Sequence, residues 1–202
     1  MLITDVDVLS ASGKLQSGMN VAVNDGRFCY IGKQIPDGDW GERINGSSLV
    51  MIPGFVNAHT HIPMVLMRGY GDDMPLDKWL YDRIFPVEDK LTGDDVYWGS
   101  MLGIAEMIAC GITSFSDMYY YCANISKAVL ESGIKANIGR GISCFDDTKR
   151  FADLPAHDEL VELVNVYKNL GDGRILIDAA PHSEYTTRPD ILSDVAEFAD
   201  MH

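Results

Sequence analysis

Two hydrophobic rhythms meet near residue 50. Before it, apolar residues come in short runs separated by turn formers. Val6-Asp7-Val8-Leu9 leads into Ser10-Ala11-Ser12-Gly13, and Val21-Ala22-Val23 meets Asn24-Asp25-Gly26 before Phe28-Cys29-Tyr30-Ile31-Gly32. Asp-Gly between two β-prone runs signals a hairpin, because the favoured two-residue turn needs positive φ at both central positions. Residues 1–50 are therefore predicted as the N-terminal part of a small β domain. A sandwich or barrel-like unit is expected, too short to stand without partner strands. Beyond Met51 apolar runs alternate with helical patterns. Strands are predicted over 52–61, 112–117, 134–139 and 174–180. Thr92, followed by Asp94 and Asp95, reads as the N-cap of a helix reaching Gly111. Further helices are predicted over 125–132, stopped by Gly133; over 158–170, with Leu160, Leu163, Val164 and Tyr167 at helical spacing and Gly171 as the stop; and from Arg188 onward.

Repeated strand-then-helix units imply a parallel sheet. Polar residues gather at the downstream end of each predicted strand: His59 and His61, Asp117, Arg140, and His182. In a (β/α) barrel that end carries the chemistry. Four units make half of such a barrel. An open doubly wound sheet is the alternative, but no Gly-rich phosphate turn follows the first strand. His59 and His61 lie two apart, so a strand points both imidazoles the same way, which is the start of a metal site. Spacing alone fits two hydrogen-bonded histidines as well. The flanking Pro53-Gly54-Phe55-Val56 strengthens the metal reading.

Composition narrows the function classes. The chain is 47% hydrophobic and 23% charged, ordinary for a globular protein, and its formal net charge is -14. Such an excess of carboxylates disfavours nucleic acid or an anionic membrane as partner. Cys29, Cys110, Cys122 and Cys144 show no C-x-x-C spacing and read as reduced thiols of a cytoplasmic protein. Residues 1–9 carry no basic residue, unlike a signal peptide, and no apolar run is long enough to span a bilayer.

The run Pro53-Gly54-Phe55-Val56-Asn57-Ala58-His59-Thr60-His61 resembles the first-strand motif of the amidohydrolase superfamily. Met67-Arg68-Gly69, Leu76-Asp77-Lys78-Trp79-Leu80, Ile84-Phe85-Pro86-Val87-Glu88, the stretch from Cys110 to Met118, and Ala180-Pro181-His182-Ser183 are similar to its branch of 5-methylthioadenosine/S-adenosylhomocysteine deaminases, guanine deaminases and triazine hydrolases. The resemblance implies an α/β fold: the N-terminal half of a metal-dependent (β/α)8 TIM barrel over 51–202, ending before strand five, preceded by a small β-sandwich segment over 1–50. It also implies one divalent metal ion, zinc or iron, whose bound hydroxide attacks an amino-bearing ring carbon and releases ammonia. The favoured substrates are adenine-type nucleosides. Guanine deamination, triazine dechlorination and a non-catalytic fragment are the alternatives. The full-length protein is expected to be a homo-oligomer.

Residue by residue, His59 and His61 resemble the first two metal ligands. Glu88 matches a carboxylate that meets the ribose hydroxyls. Arg140 and Arg150 resemble substrate-binding arginines, and His182 a histidine that hydrogen-bonds the purine. Each has a plainer reading: a solvated carboxylate for Glu88, a structural ion pair for Arg140, a surface charge for Arg150, a loop histidine for His182. Asp117 reads as a structural hydrogen-bonder. Trp79 reads as loop packing, and Tyr119-Tyr120-Tyr121 as partly buried between barrel and helix. The third histidine, the proton-shuttling glutamate and the ligand aspartate of the family have no counterpart here, so this chain alone is expected to be inactive.

Overall fold

The computed structural model describes all 202 residues, Met1–His202, and they form two compact units, Met1–Gly54 and Phe55–His202. The boundary lies four residues beyond the predicted 50/51.

The first unit is one five-stranded sheet. Strands β1 (Leu2–Leu9), β2 (Leu15–Asn24) and β3 (Arg27–Gly32) form an antiparallel meander, and β4 (Arg43–Asn45) and β5 (Val50–Met51) add to β1 in parallel. The predicted hairpin turn is present: Asp25 and Gly26 stand at φ 50° and 71°. Val6, Val8, Met19 and Val21 make a small buried cluster on one face. The expected sandwich is not formed by these residues. Both late strands extend β1 instead of founding a second layer, so there is one sheet and a thin core.

The second unit is a four-stranded parallel sheet in the order β6 (Phe55–Thr60), β7 (Ile112–Tyr119), β8 (Lys135–Ile142), β9 (Ile175–Pro181). Between β6 and β7 run a 3₁₀ segment (Ile62–Met67), α1 (Leu76–Trp79), a π-helical segment (Leu80–Ile84), α2 (Phe85–Glu88) and α3 (Gly93–Ala109). Then α4 (Cys122–Ser132) joins β7 to β8, and α5 (Pro155–Tyr167) with the short kinked α6 (Leu170–Gly173) joins β8 to β9. Helix α7 (Pro189–Met201) follows β9. The sheet is open and no barrel closes within these residues; the four βα units are its first-half equivalent. No helix is long and apolar enough to cross a membrane.

Alternation along the strands sets the layers. Phe115 and Tyr119 of β7, Ala136, Ile138 and Ile142 of β8 and Ile175 of β9 face the helices, where they meet Ile104, Ile125, Val129, Leu160, Ile191 and Phe198 in the main core. Burying one such side chain contributes about 1.5–3 kcal/mol. Thr92 caps α3 as predicted, in a reciprocal capping box with Asp95, and Gly133 ends α4 at φ 75°.

Candidate active site

The metal-like pair sits where β6 gives way to the 3₁₀ segment. His59 is exposed and His61 half-buried, with ring centroids 5.2 Å apart and planes at 76°. His61 Nδ1–H donates to the Met118 carbonyl at 2.6 Å, which leaves Nε2 as the lone-pair nitrogen. The next residue is pinned as well: the Ile62 amide donates to Asp117 Oδ1 at 2.6 Å. Asp117 is buried within β7, its Oδ2 has no hydrogen-bond partner, and burial pushes its pKa up to about 7. Two oriented imidazoles suit zinc or iron chemically. No cluster of three or more His, Cys, Asp or Glu side chains completes a site, so these residues fit half of one.

Glu88, the last residue of α2, comes to the same end of the sheet. Tyr119 at the end of β7 donates its hydroxyl to Glu88 Oε1 at 2.7 Å, and the Tyr119 ring lies 6.5 Å from that of His61. Burial raises the Glu88 pKa, and the Tyr119 hydrogen bond and the nearby His61 oppose that rise. Burial likewise raises the Tyr119 phenol, with Glu88 adding to it.

Glu88 also lines a cleft of about 540 Å³ with Phe85, Tyr119, Tyr120, Arg140, Glu159 and neighbours. Arg140 is not at a strand end, as predicted, but two residues inside β8, because Gly141 and Ile142 continue the pairing with Ala180 and Pro181. Its guanidinium donates through Nε to Glu159 Oε2 and through Nη2 to Glu159 Oε1 (3.4 Å), gives Nη1 to the Gly141 carbonyl, and lies 4.9 Å from the Tyr120 ring centroid.

The other two candidates stand apart from this cleft. Arg150 is largely exposed. It grips Asp194 of α7, with Nε–Oδ2 at 2.9 Å, and lies near Asp190 at a separate depression shared with Phe151, His157 and Phe198. His182 is exposed just past β9. Its amide donates to the Ile142 carbonyl at 2.9 Å, and its Nδ1 lies 3.4 Å from the Thr186 hydroxyl. Trp79 packs against its own loop: a Cβ on Gly71 would lie 3.0 Å from its Cδ1.

Sequence reasoning missed Glu159 and the specific part of Tyr119. A run of three tyrosines after a strand hinted at a lined cleft. Nothing local marks Glu159, whose partner lies 19 residues away in another element.

A parallel sheet of βα units with a His-x-His pair at the exit of its first strand defines a metal-dependent hydrolase of barrel type. The Amidohydrolase family model matches residues 50–202, and the chain belongs to that family. It is 39% identical over its whole length to the 5'-deoxyadenosine deaminase of Methanothermobacter thermautotrophicus, covering 46% of that protein. It is 41% identical over 98% of its length to the 5-methylthioadenosine/S-adenosylhomocysteine deaminase of Dictyoglomus thermophilum, again covering 46%. A zinc-bound adenosine deaminase structure from Xanthomonas campestris superposes with a TM-score of 0.86 at 27% identity, over 99% of this chain and 46% of that one. The chain thus spans about half the length of the curated relatives it matches.

Proposed function

We propose that the protein hydrolytically deaminates adenine-type nucleosides, converting the amino-bearing ring carbon to a carbonyl with consumption of water and release of ammonia. The observation that carries this reading is the imidazole pair and a half-buried carboxylate held at one end of the sheet by a shared tyrosine. The nucleoside deaminases among the relatives support it.

In this reading His59 and His61 supply two donors to one divalent ion. Zinc is favoured by the zinc-bound neighbour, and iron is compatible with imidazole donors. When bound, such an ion acidifies water and polarises the reacting carbon. The Met118 carbonyl fixes the His61 tautomer, so the free nitrogen is presented without a proton to lose. Glu88 accepts hydrogen bonds from the ribose hydroxyls; the bond from Tyr119 holds it in one rotamer and leaves Oε2 for the sugar. His182 is assigned to the purine edge. Arg140 lines the cleft beyond the ribose, and Arg150 is the weaker candidate because Asp194 and Asp190 already take up its charge. Four unpaired cysteines suit the cytoplasm. With only two donors in place, these 202 residues are expected to be inactive by themselves.

The test is a substrate panel on the native gene product purified with zinc: 5'-deoxyadenosine, methylthioadenosine, S-adenosylhomocysteine, guanine and a chlorotriazine. Ammonia from the adenine nucleosides is expected, and His59→Ala and His61→Ala should each lose both bound zinc and turnover. Ammonia from guanine alone, or chloride release from the triazine, overturns the assignment.

A further inference from the structure

Resting on that reading, we infer that Glu159 sets substrate choice by occupying Arg140, so that the cleft takes adenine nucleosides with an uncharged 5' substituent in preference to those with a carboxylate tail. The cleft runs from Glu88 to the Arg140–Glu159 pair. With the purine at the histidine end and the ribose at Glu88, whatever is attached to the 5' carbon extends toward Arg140.

A guanidinium there would suit a carboxylate, but this one is not free. Glu159 takes two of its nitrogens, the Gly141 carbonyl a third, and the Tyr120 ring covers its face. The Arg140 side chain is only 13% exposed. The rest of the lining has the wrong sign for an anion: Glu88, Asp89, Glu159 and Glu162 supply four carboxylates against this single arginine. Arg150 cannot substitute, being engaged with Asp194 at a different depression. An incoming carboxylate would have to break the Arg140–Glu159 pair or stay unpaired beside like charges, and either costs affinity. Phe85, Leu91 and Leu163 in the same lining offer apolar surface to a methylthio or methyl group.

Two measurements test this. The first is kcat/KM of the zinc-loaded native gene product for methylthioadenosine, 5'-deoxyadenosine and S-adenosylhomocysteine. The second is calorimetric affinity of the metal-free protein for the same nucleosides, where no turnover occurs. The two uncharged substituents should exceed S-adenosylhomocysteine by about tenfold or more in both, the scale of one ion pair gained or lost. Glu159→Gln should move the ratio toward S-adenosylhomocysteine by a similar factor. Tighter binding or faster turnover of S-adenosylhomocysteine in the unaltered protein overturns the inference, as does a ratio indifferent to Glu159→Gln. No deamination of any nucleoside, with the order of affinities kept, overturns the functional reading and leaves the cleft assignment standing; no binding at all overturns both.

Discussion

Asp117 shows what holding the histidine segment demands of one side chain. Its Oδ1 receives the Ile62 amide immediately after His61, while Oδ2 is buried without a partner. A carboxylate so placed keeps its proton more readily than in water, and its pKa rises from 3.8 to about 7, through burial first, opposed by the Ile62 hydrogen bond. The sign of the linkage follows. Between these two values the folded state binds a proton that the unfolded chain has already released, so the contribution to stability is full below about pH 4 and is lost as pH rises toward 7. Glu88, also raised chiefly by burial, acts in the same direction. Asp117→Asn keeps an oxygen for the Ile62 amide and removes the titration. Urea unfolding across this range should show the unaltered protein losing stability, on the order of a few kcal/mol, while the variant changes less. Parallel curves for the two proteins would show that Asp117 ionises no differently once folded.

At the scale of elements, the histidine segment is held by a close approach to α3. A Cβ on Gly99 would lie 2.9 Å from both the Pro63 carbonyl oxygen and Leu66 Cδ1, and one on Gly103 would lie 2.6 Å from Cγ1 of the buried Ile62. Alanine is the better helix former by about 1 kcal/mol, so propensity alone favours Gly99→Ala and Gly103→Ala. Here the displaced atoms are a backbone oxygen and the middle of a buried side chain, and overpacking typically costs about 1–3 kcal/mol. Both variants should therefore unfold at lower urea, and zinc retention should fall with them because Ile62 adjoins His61; a gain in stability from either would mean the segment moves freely off the helix. The same comparison explains what the sequence could disclose. The Asp25-Gly26 turn, the Thr92 cap and the Gly133 stop were legible because each is a local device whose residues sit side by side. The histidine pair was legible for the same reason. The end of β8 was misplaced at Arg140 because an arginine looks like an exit from a strand, whereas pairing with β9 carries the strand to Ile142. The single-sheet first unit, the π-helical turn over Leu80–Ile84 and the partners Tyr119–Glu88 and Arg140–Glu159 depend on contacts between distant residues, for which one sequence has no local mark.

For the molecule as a whole, the parallel sheet ends in two strands, β6 and β9, each paired on one side only. Unpaired strand edges recruit further strands, and relatives about twice as long share this family. The exposed apolar surface adds to that tendency. Val56 and Leu176, on the sheet face away from the helices, are 67% and 46% exposed, and Trp98 and Leu102, one turn apart on α3, are 65% and 45% exposed. Opposing association is the net charge of -14, which makes like copies repel. Salt separates the two effects, since screening shortens from about 30 Å at 0.01 M to about 3 Å at 1 M while burial of apolar surface persists. The isolated 202-residue chain should therefore be closest to monomeric at low salt and associate increasingly as salt and protein concentration rise, measured by light scattering on a sizing column. Val56→Lys and Leu176→Lys, each adding a charge to an outer strand, should both reduce the associated fraction. A mass that stays monomeric throughout, or that falls as salt is added, would mean that neither the open edges nor the apolar faces govern how this chain meets another.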